Sequence, residues 1–149
     1  MKTGYYHSPI GVLELKATES ALVELIISSK ESVTNSASNS IIQDAIEQLT
    51  EYFAGKRKTF SIPLAPSGTP FQQQVWTQLQ NIPYGKTISY AQLAQMVDSP
   101  KACRAVGSAN GKNPIPVIIP CHRVITSNGG LGGFAYGLDM KKWLLELEQ

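Results

Sequence analysis

Tyr90-Ala91-Gln92-Leu93-Ala94-Gln95-Met96-Val97, then Asp98-Ser99-Pro100, then Lys101-Ala102-Cys103-Arg104-Ala105-Val106-Gly107-Ser108-Ala109 is the stretch from which the fold is read. Residues 90–97 predict a short helix with Leu93, Ala94 and Val97 turned inward. Asp98-Ser99-Pro100 predicts a turn, with Ser99 capping a second helix and Pro100 at its first position. Residues 101–109 continue as that helix, which carries Lys101 and Arg104. Two short helices joined by a three- or four-residue turn read as a helix-turn-helix. Many packed helix pairs share this pattern, so the flanks must decide.

Upstream, Thr69-Pro70 opens another helix, with Thr69 as its cap. Phe71, Val75, Trp76 and Leu79 fall on one face of it. Pro83-Tyr84-Gly85-Lys86 is a turn. Downstream, the apolar run Pro114-Ile115-Pro116-Val117-Ile118-Ile119 reads as a buried strand that ends at Pro120-Cys121-His122-Arg123. Trp143, Leu144 and Leu147 predict an amphipathic terminal helix containing Glu148. The pairs Gly129-Gly130 and Gly132-Gly133 make no phosphate loop, because no strand leads into a G-x-G-x-x-G there.

The first part of the chain has a different pattern. Tyr5-Tyr6-His7, residues 11–16 and Leu22-Val23-Glu24-Leu25-Ile26-Ile27 predict three antiparallel strands. Residues 28–40, rich in Ser, Asn and Lys, read as a mobile loop. Ser40 is placed to cap a helix that turns Ile41, Ile42, Ala45, Ile46, Leu49 and Phe53 to one side and ends at Gly55. No catalytic set is visible there. The expected organisation is a scaffold domain over residues 1–61 and a functional domain over residues 62–149.

The chain of 149 residues, 42% apolar and 16% charged, has room for one domain or two small ones. No apolar run approaches the roughly 20 residues of a membrane span. The N-terminus shows no apolar core of a signal peptide. A cytoplasmic protein is expected, with Cys103 and Cys121 kept as thiols. The charge is uneven. Residues 1–61 hold six Lys/Arg against seven Asp/Glu, whereas residues 85–125 hold five Lys/Arg against Asp98 alone. That basic excess around Cys121 suits an anionic partner, and it suits a solvated face as well.

Cys121 is the chemical focus. A free cysteine is often just a small buried hydrophobe, but here His122 and Arg123 adjoin it, and nearby cations activate a thiol. Adjacent residues of an extended chain point to opposite sides. His122 would therefore take the thiol proton through a water, or across a turn at Cys121. Zinc is a poor fit to Cys103, Cys121, His7 and His122, which show no C-x-x-C or H-x-x-x-H spacing. Glu148 on spacing alone reads as a surface carboxylate, and Asn113 as a turn residue. Buried core, cysteine hydrolase and transferase all remain open at this point.

Several further segments stand in order along the chain. They are Gly68-Thr69-Pro70-Phe71-Gln72 with Val75-Trp76, Ile82-Pro83-Tyr84-Gly85, Ser89-Tyr90, Arg104-Ala105-Val106-Gly107 with Ala109-Asn110, and Asn113-Pro114. Pro120-Cys121-His122-Arg123-Val124, Leu131-Gly132-Gly133-Phe134, Gly137-Leu138 and residues 141–148 follow. In these the chain resembles the O6-alkylguanine-DNA alkyltransferases, also called methylated-DNA–protein-cysteine methyltransferases. The likeness is dense over residues 68–148 and weak before them, chiefly at Tyr52-Phe53-Ala54-Gly55-Lys56-Arg57. It implies an α/β plus α fold: a small ribonuclease-H-like domain, then a mostly helical, winged-helix-like domain with the helix-turn-helix.

The resemblance also implies a reaction. Cys121, as a thiolate, takes a methyl or other alkyl group from O6 of guanine, and from O4 of thymine, once and irreversibly. It makes His122 a base acting through a water, Glu148 the group that orients the imidazole, and Asn113 the residue that orders the active-site turn. Tyr90 donates to N3 of the base, the Ala135 N–H reaches O6, and the Val124 carbonyl accepts from the exocyclic amine. Asn110 and Phe134 complete the substrate site. Arg104 fills the space left by a flipped nucleotide. Lys101, Ala105 and Ser108 join it in contacting DNA, on a helix whose small residues suit the minor groove. The implied partner is double-stranded DNA bound without sequence preference by a monomer, with no cofactor and no metal.

The chain departs from the family's pattern at four points. Phe134 stands where some members have Tyr, Cys103 where Ala is usual, and Asp98 where Gly is common. The zinc ligands that some members carry in the first half are not visible. Two rivals stand beside the transferase: a non-catalytic alkylation-damage-binding protein of the same fold, whose members lack the cysteine, and a cysteine hydrolase, which needs a histidine paired directly to the thiol.

Overall fold

The computed structural model describes residues 1–28 and 39–149. Residues 29–38, most of the segment read as a mobile loop, lie outside the described residues. Two compact units divide the chain, Met1–Ser67 and Gly68–Gln149.

In the first unit, β1 (Lys2–Ser8), β2 (Gly11–Ala17) and β3 (Leu22–Ser28) form an antiparallel sheet in the order β1-β2-β3. The two-residue Pro9-Ile10 connection sets the register, with Ser8 opposite Gly11 and Lys2 opposite Ala17. Gly11 has φ 119°, and an added Cβ would lie 2.8 Å from the Ser28 carbonyl oxygen, so no side chain fits there. Alternation buries Leu13, Leu15 and Ala17. Helix α1 (Ser40–Phe53) covers the sheet with Ile42, Ala45, Leu49 and Tyr52. The sequence placed Phe53 on that face. The 3-4-3 spacing from Ile42 selects Tyr52 instead, and Phe53 lies against the Tyr6 ring at 6.4 Å. The cap is Asn39, not Ser40: Asn39 is extended and its side chain accepts from the Ile42 N–H at 3.0 Å. Residues 62–67 belong to this unit, past the 61/62 boundary read from sequence. Leu22 holds them through its N–H to the Pro63 carbonyl, at 2.9 Å, and its carbonyl to the Ala65 N–H, at 2.8 Å.

In the second unit, α2 (Pro70–Leu79) begins as the sequence predicts. Thr69 and Gln72 form a reciprocal capping box, with bonds of 3.1 and 2.9 Å. Its Trp76 donates from Nε1 to the Ala109 carbonyl at 2.8 Å, which ties it to the helix-turn-helix. The first helix of that motif is α3 (Tyr90–Met96), which Ser89 caps in a second box with Gln92. Asp98 takes a left-handed φ of 57° in the turn, a conformation short polar side chains tolerate better than most.

The second helix starts later than predicted. The Ala102 N–H bonds the Ser99 carbonyl at 2.9 Å, and the Ser99 hydroxyl goes back to Val97. Helix α4 therefore spans Cys103–Gly111 with Ala102 as an uncapped start, and Lys101 sits in the turn. The Ser99–Ala102 turn takes up Pro100 and Lys101 before the helical bonding begins.

The run before Cys121 is not a strand. The Ile119 N–H bonds Ile115 at 2.9 Å, the Cys121 N–H bonds Ile119 at 2.8 Å, and Val117 has φ 74°. Residues 115–119 form a buried coil. A 3-10 turn, Cys121–Arg123, follows and runs into β5 (Val124–Ile125), parallel to β4 (Ile88–Ser89). The last helix, α5 (Leu138–Leu147), stops one residue short of Glu148.

Candidate active site

Cys121 opens the 3-10 turn and is 5% exposed. Asn113 fixes the coil that delivers it. Its Oδ1 accepts from the Ile115 N–H at 2.9 Å, and its Nδ2 donates to the Ile119 carbonyl at 2.7 Å. Both bonds are local, so the turn holds its shape independently of what enters the site. Burial pushes the Cys121 thiol up, while the Asn113 side chain and the Lys141 charge pull it down less strongly. The resting sulfur is thus a protonated thiol that must hand its proton on.

The turn also settles where His122 lies. It is fully buried, and its Nε2 is 2.8 Å from Glu148 Oε2. A carboxylate only accepts, so Nε2 carries the hydrogen and Nδ1 keeps its lone pair. That Nδ1 is buried without a hydrogen-bond partner. Burial holds the imidazole below its ordinary pKa, against the opposing pull of Glu148. The resting His122 is a neutral base. One consequence concerns acid stability. The unfolded chain binds a proton at about pH 6.5 that the native His122 resists, so stability is full above that pH and falls below it. The expected slope reaches at most about 1.4 kcal/mol per pH unit from this group, measured by urea unfolding at pH 7.5, 6.5 and 5.5.

Glu148 is 3% exposed, which overturns its surface reading. Arg123, which the sequence offered as a cation beside the thiol, instead grips Glu148 from the other side, with Nε to Oε1 at 2.8 Å and Nη2 to Oε2 at 2.9 Å. Nη1 donates to the Ile82 carbonyl at 2.7 Å, and the Tyr84 ring lies 5.8 Å from the guanidinium. Lys141 was missed. Its buried ammonium donates to the carbonyls of Val124 at 2.6 Å, Leu131 at 2.5 Å and Gly133 at 3.0 Å. Burial lowers it to about 8, and a Cys121 thiolate would raise it.

A chamber opens beside Cys121. Asn110, Asn113 and Pro116 line it together with Phe134, Ala135 and Tyr136 of the glycine-rich loop. Its free volume is about 10 Å³, room for about one water. Tyr90 stands between the loop and α4: its hydroxyl accepts from the Gly133 N–H at 3.3 Å, and its ring faces Gly107. A Cβ on Gly132, whose φ is +73°, would fall 2.7 Å from that hydroxyl. Val124 is buried, with its carbonyl on Lys141. Outside the chamber, Arg104, Ala105 and Ser108 share the exposed face of α4, while Val106, Ala109 and Asn110 are buried. Among the described residues no group of three or more His, Cys, Asp or Glu could hold a metal ion. No helix of the described residues is long and apolar enough to cross a membrane.

Comparison with known proteins matches both units. The 6-O-methylguanine DNA methyltransferase DNA-binding domain matches residues 70–149, and the ribonuclease-like domain of the same family matches residues 1–66. A methylated-DNA–protein-cysteine methyltransferase of Methanosarcina acetivorans is 47% identical, over 96% of this chain and 95% of its own. The constitutive one of Bacillus subtilis is 46% identical, over 95% and 92%. The crystal structure of Mycobacterium tuberculosis OGT in complex with DNA superposes with a TM-score of 0.91 at 44% identity, covering 99% of this chain and 92% of that one. With its two units matched over residues 1–66 and 70–149, and near-full-length relatives at 46–47% identity, the chain belongs to the 6-O-methylguanine DNA methyltransferase family.

Proposed function

We propose that this protein repairs alkylated DNA by moving the alkyl group from O6 of guanine, and from O4 of thymine, onto Cys121. The observation that carries the reading is the Cys121-His122 pair: a buried thiol that lines the chamber, next in the chain to a neutral imidazole with an unpaired Nδ1 and a carboxylate on its far nitrogen.

The thiol proton passes through a water to His122 Nδ1, and Glu148 stabilises the imidazolium that results. The thiolate attacks the sp3 carbon, the C–O6 bond breaks, and its electron pair stays on the base. The Tyr90 hydroxyl donates a hydrogen bond to N3 and the Ala135 N–H supports O6 as negative charge gathers on the base, which water then protonates. The Val124 carbonyl accepts from the exocyclic amine, which selects guanine. Phe134 supplies only ring packing. A thioether has no leaving group that water displaces readily, so each molecule acts once.

Guanine does not fit a space of about 10 Å³. A nucleotide that has left the duplex therefore needs more room beside residues 133–136 than the chamber offers here. Arg104 enters the gap the nucleotide leaves, with Lys101, Ala105 and Ser108 against the minor groove. Phosphate and groove-shape contacts make binding independent of sequence. The protein works as a monomer in the cytoplasm, where the thiol stays reduced.

The deciding experiment is peptide mass mapping after incubation with a duplex carrying O6-methylguanine. One methyl on Cys121 with the lesion lost is the expected result. An intact lesion and an unmodified Cys121 sink the reading and favour a non-catalytic damage binder. Arg104→Ala tests flipping separately. It is expected to slow repair of the duplex about tenfold or more while changing the reaction with free O6-benzylguanine less than about twofold, since only the duplex requires extrusion. Equal losses on both substrates remove Arg104 from that role.

A further inference from the structure

Asn110 is 4% exposed, on the buried side of the helix that presents Arg104 outward. It lines the chamber with Cys121. Its Nδ2 donates to the Cys121 carbonyl at 3.4 Å. That carbonyl can only accept, so the amide orientation is fixed and Oδ1 is left over. Oδ1 is buried and has no hydrogen-bond partner. A residue that lines the chamber with Cys121 therefore keeps one unused acceptor, beside a space the size of a single water. A hydroxyl has that size and brings the missing donor. A methyl group in the same place leaves the acceptor desolvated and unpaired.

We propose that Asn110 gives the chamber a preference for 2-hydroxyalkyl adducts on guanine O6 over alkyl adducts of the same size. The inference rests on the alkyltransferase reading and names a substrate class for it. The step balances as for any alkyl group. The thiolate forms an S–C bond to the first carbon, the C–O6 bond breaks with its pair on guanine, and the hydroxyl on the second carbon is retained in S-(2-hydroxyethyl)cysteine. The hydroxyl donates to Oδ1 throughout and takes no part in bond exchange, so its effect is one of positioning and binding.

The test compares single-turnover repair of duplexes carrying O6-(2-hydroxyethyl)guanine, O6-ethylguanine and O6-(2-fluoroethyl)guanine. The fluoroethyl group matches the hydroxyethyl in size and has no hydrogen to donate. In the unmodified protein the hydroxyethyl adduct is expected to react about tenfold faster than the fluoroethyl one. Asn110→Leu and Asn110→Ala are expected to bring the hydroxyethyl-to-ethyl rate ratio down about tenfold from its wild-type value, whatever happens to the absolute rates. Equal rates for hydroxyethyl and fluoroethyl adducts in the unmodified protein overturn the proposal, and need no variant to fold. A ratio unmoved by either substitution overturns it too. O6-methylguanine in a parallel arm separates the two levels: if the unmodified protein leaves it unrepaired, the transferase reading itself has failed.

Discussion

Replacement of Glu148 by alanine is expected to lower the unfolding free energy by about 3–5 kcal/mol and to slow alkyl transfer about a hundredfold. The carboxylate accepts from His122 Nε2, Arg123 Nε and Arg123 Nη2, all within 2.9 Å. Its removal leaves the Arg123 charge, 6% exposed, without a counter-ion in a dry interior. That uncompensated cation accounts for most of the stability loss. The rate loss has a separate origin. In the proposed relay His122 becomes an imidazolium as the thiol gives up its proton; without Glu148 that cation loses its partner, and the ring loses the bond that fixes its tautomer. Glu148→Gln separates the positioning of the ring from the counter-charge, which Arg123 and the imidazolium both lose. It keeps one acceptor oxygen and the shape, so the histidine stays in place while the charge is lost. Urea unfolding and quenched single-turnover repair measure the pair. A Gln variant that transfers at the wild-type rate removes Glu148 from the chemistry and leaves it a purely structural anchor.

Glu148 also shows what the sequence conceals. It lies one residue beyond a ten-residue helix, where spacing makes it a fraying surface carboxylate. Its burial depends on Arg123 and His122, 25 and 26 positions earlier, and no local pattern records such a pairing. Where the physics is local, the chain is readable. Thr69-Pro70 states the start of α2, and alternation states the sheet of the first unit. Pro-containing turns were less so. Ser99-Pro100 has the letters of a capped helix start, yet the Ser99–Ala102 turn delays the helix to Cys103. The apolar run at residues 114–119 has the letters of a strand, but Asn113 folds it into a coil through two side-chain bonds. The 3-10 turn at Cys121 shows that the chain is not extended there, so the premise that neighbours face opposite sides does not hold at Cys121 and His122. Lys141 left one trace. It stands three residues before Leu144 on the buried stripe of α5, and a cation there calls for acceptors that only the fold supplies.

Lys141→Met is the second substitution with a large expected effect. Methionine fills the same volume and is a good helix former, so the loss isolates the ammonium. Three carbonyls, of Val124, Leu131 and Gly133, lose their donor at once. Each buried acceptor left unmet costs about 1–3 kcal/mol, less where loop movement readmits water, so a net loss of about 2–4 kcal/mol is expected. Two of those carbonyls sit in the loop that walls the chamber and the third beside the Cys121 turn, so the same cation joins the two sides. Releasing it lets residues 131–136 part from the nucleophile. The Lys141 charge also favours the Cys121 thiolate, and its removal raises the thiol further. Both effects slow transfer at neutral pH, by about tenfold or more for a shift of one pKa unit. They respond differently to pH. In the wild type, raising the pH releases the thiol proton but also discharges Lys141 near 8, so the gain in rate flattens above that point. In Lys141→Met the flattening disappears and the rate climbs steadily into the alkaline range. Single-turnover rates from pH 6 to 10 on both proteins check this. Parallel profiles, offset by a constant factor, indicate that Lys141 acts only by holding the loop.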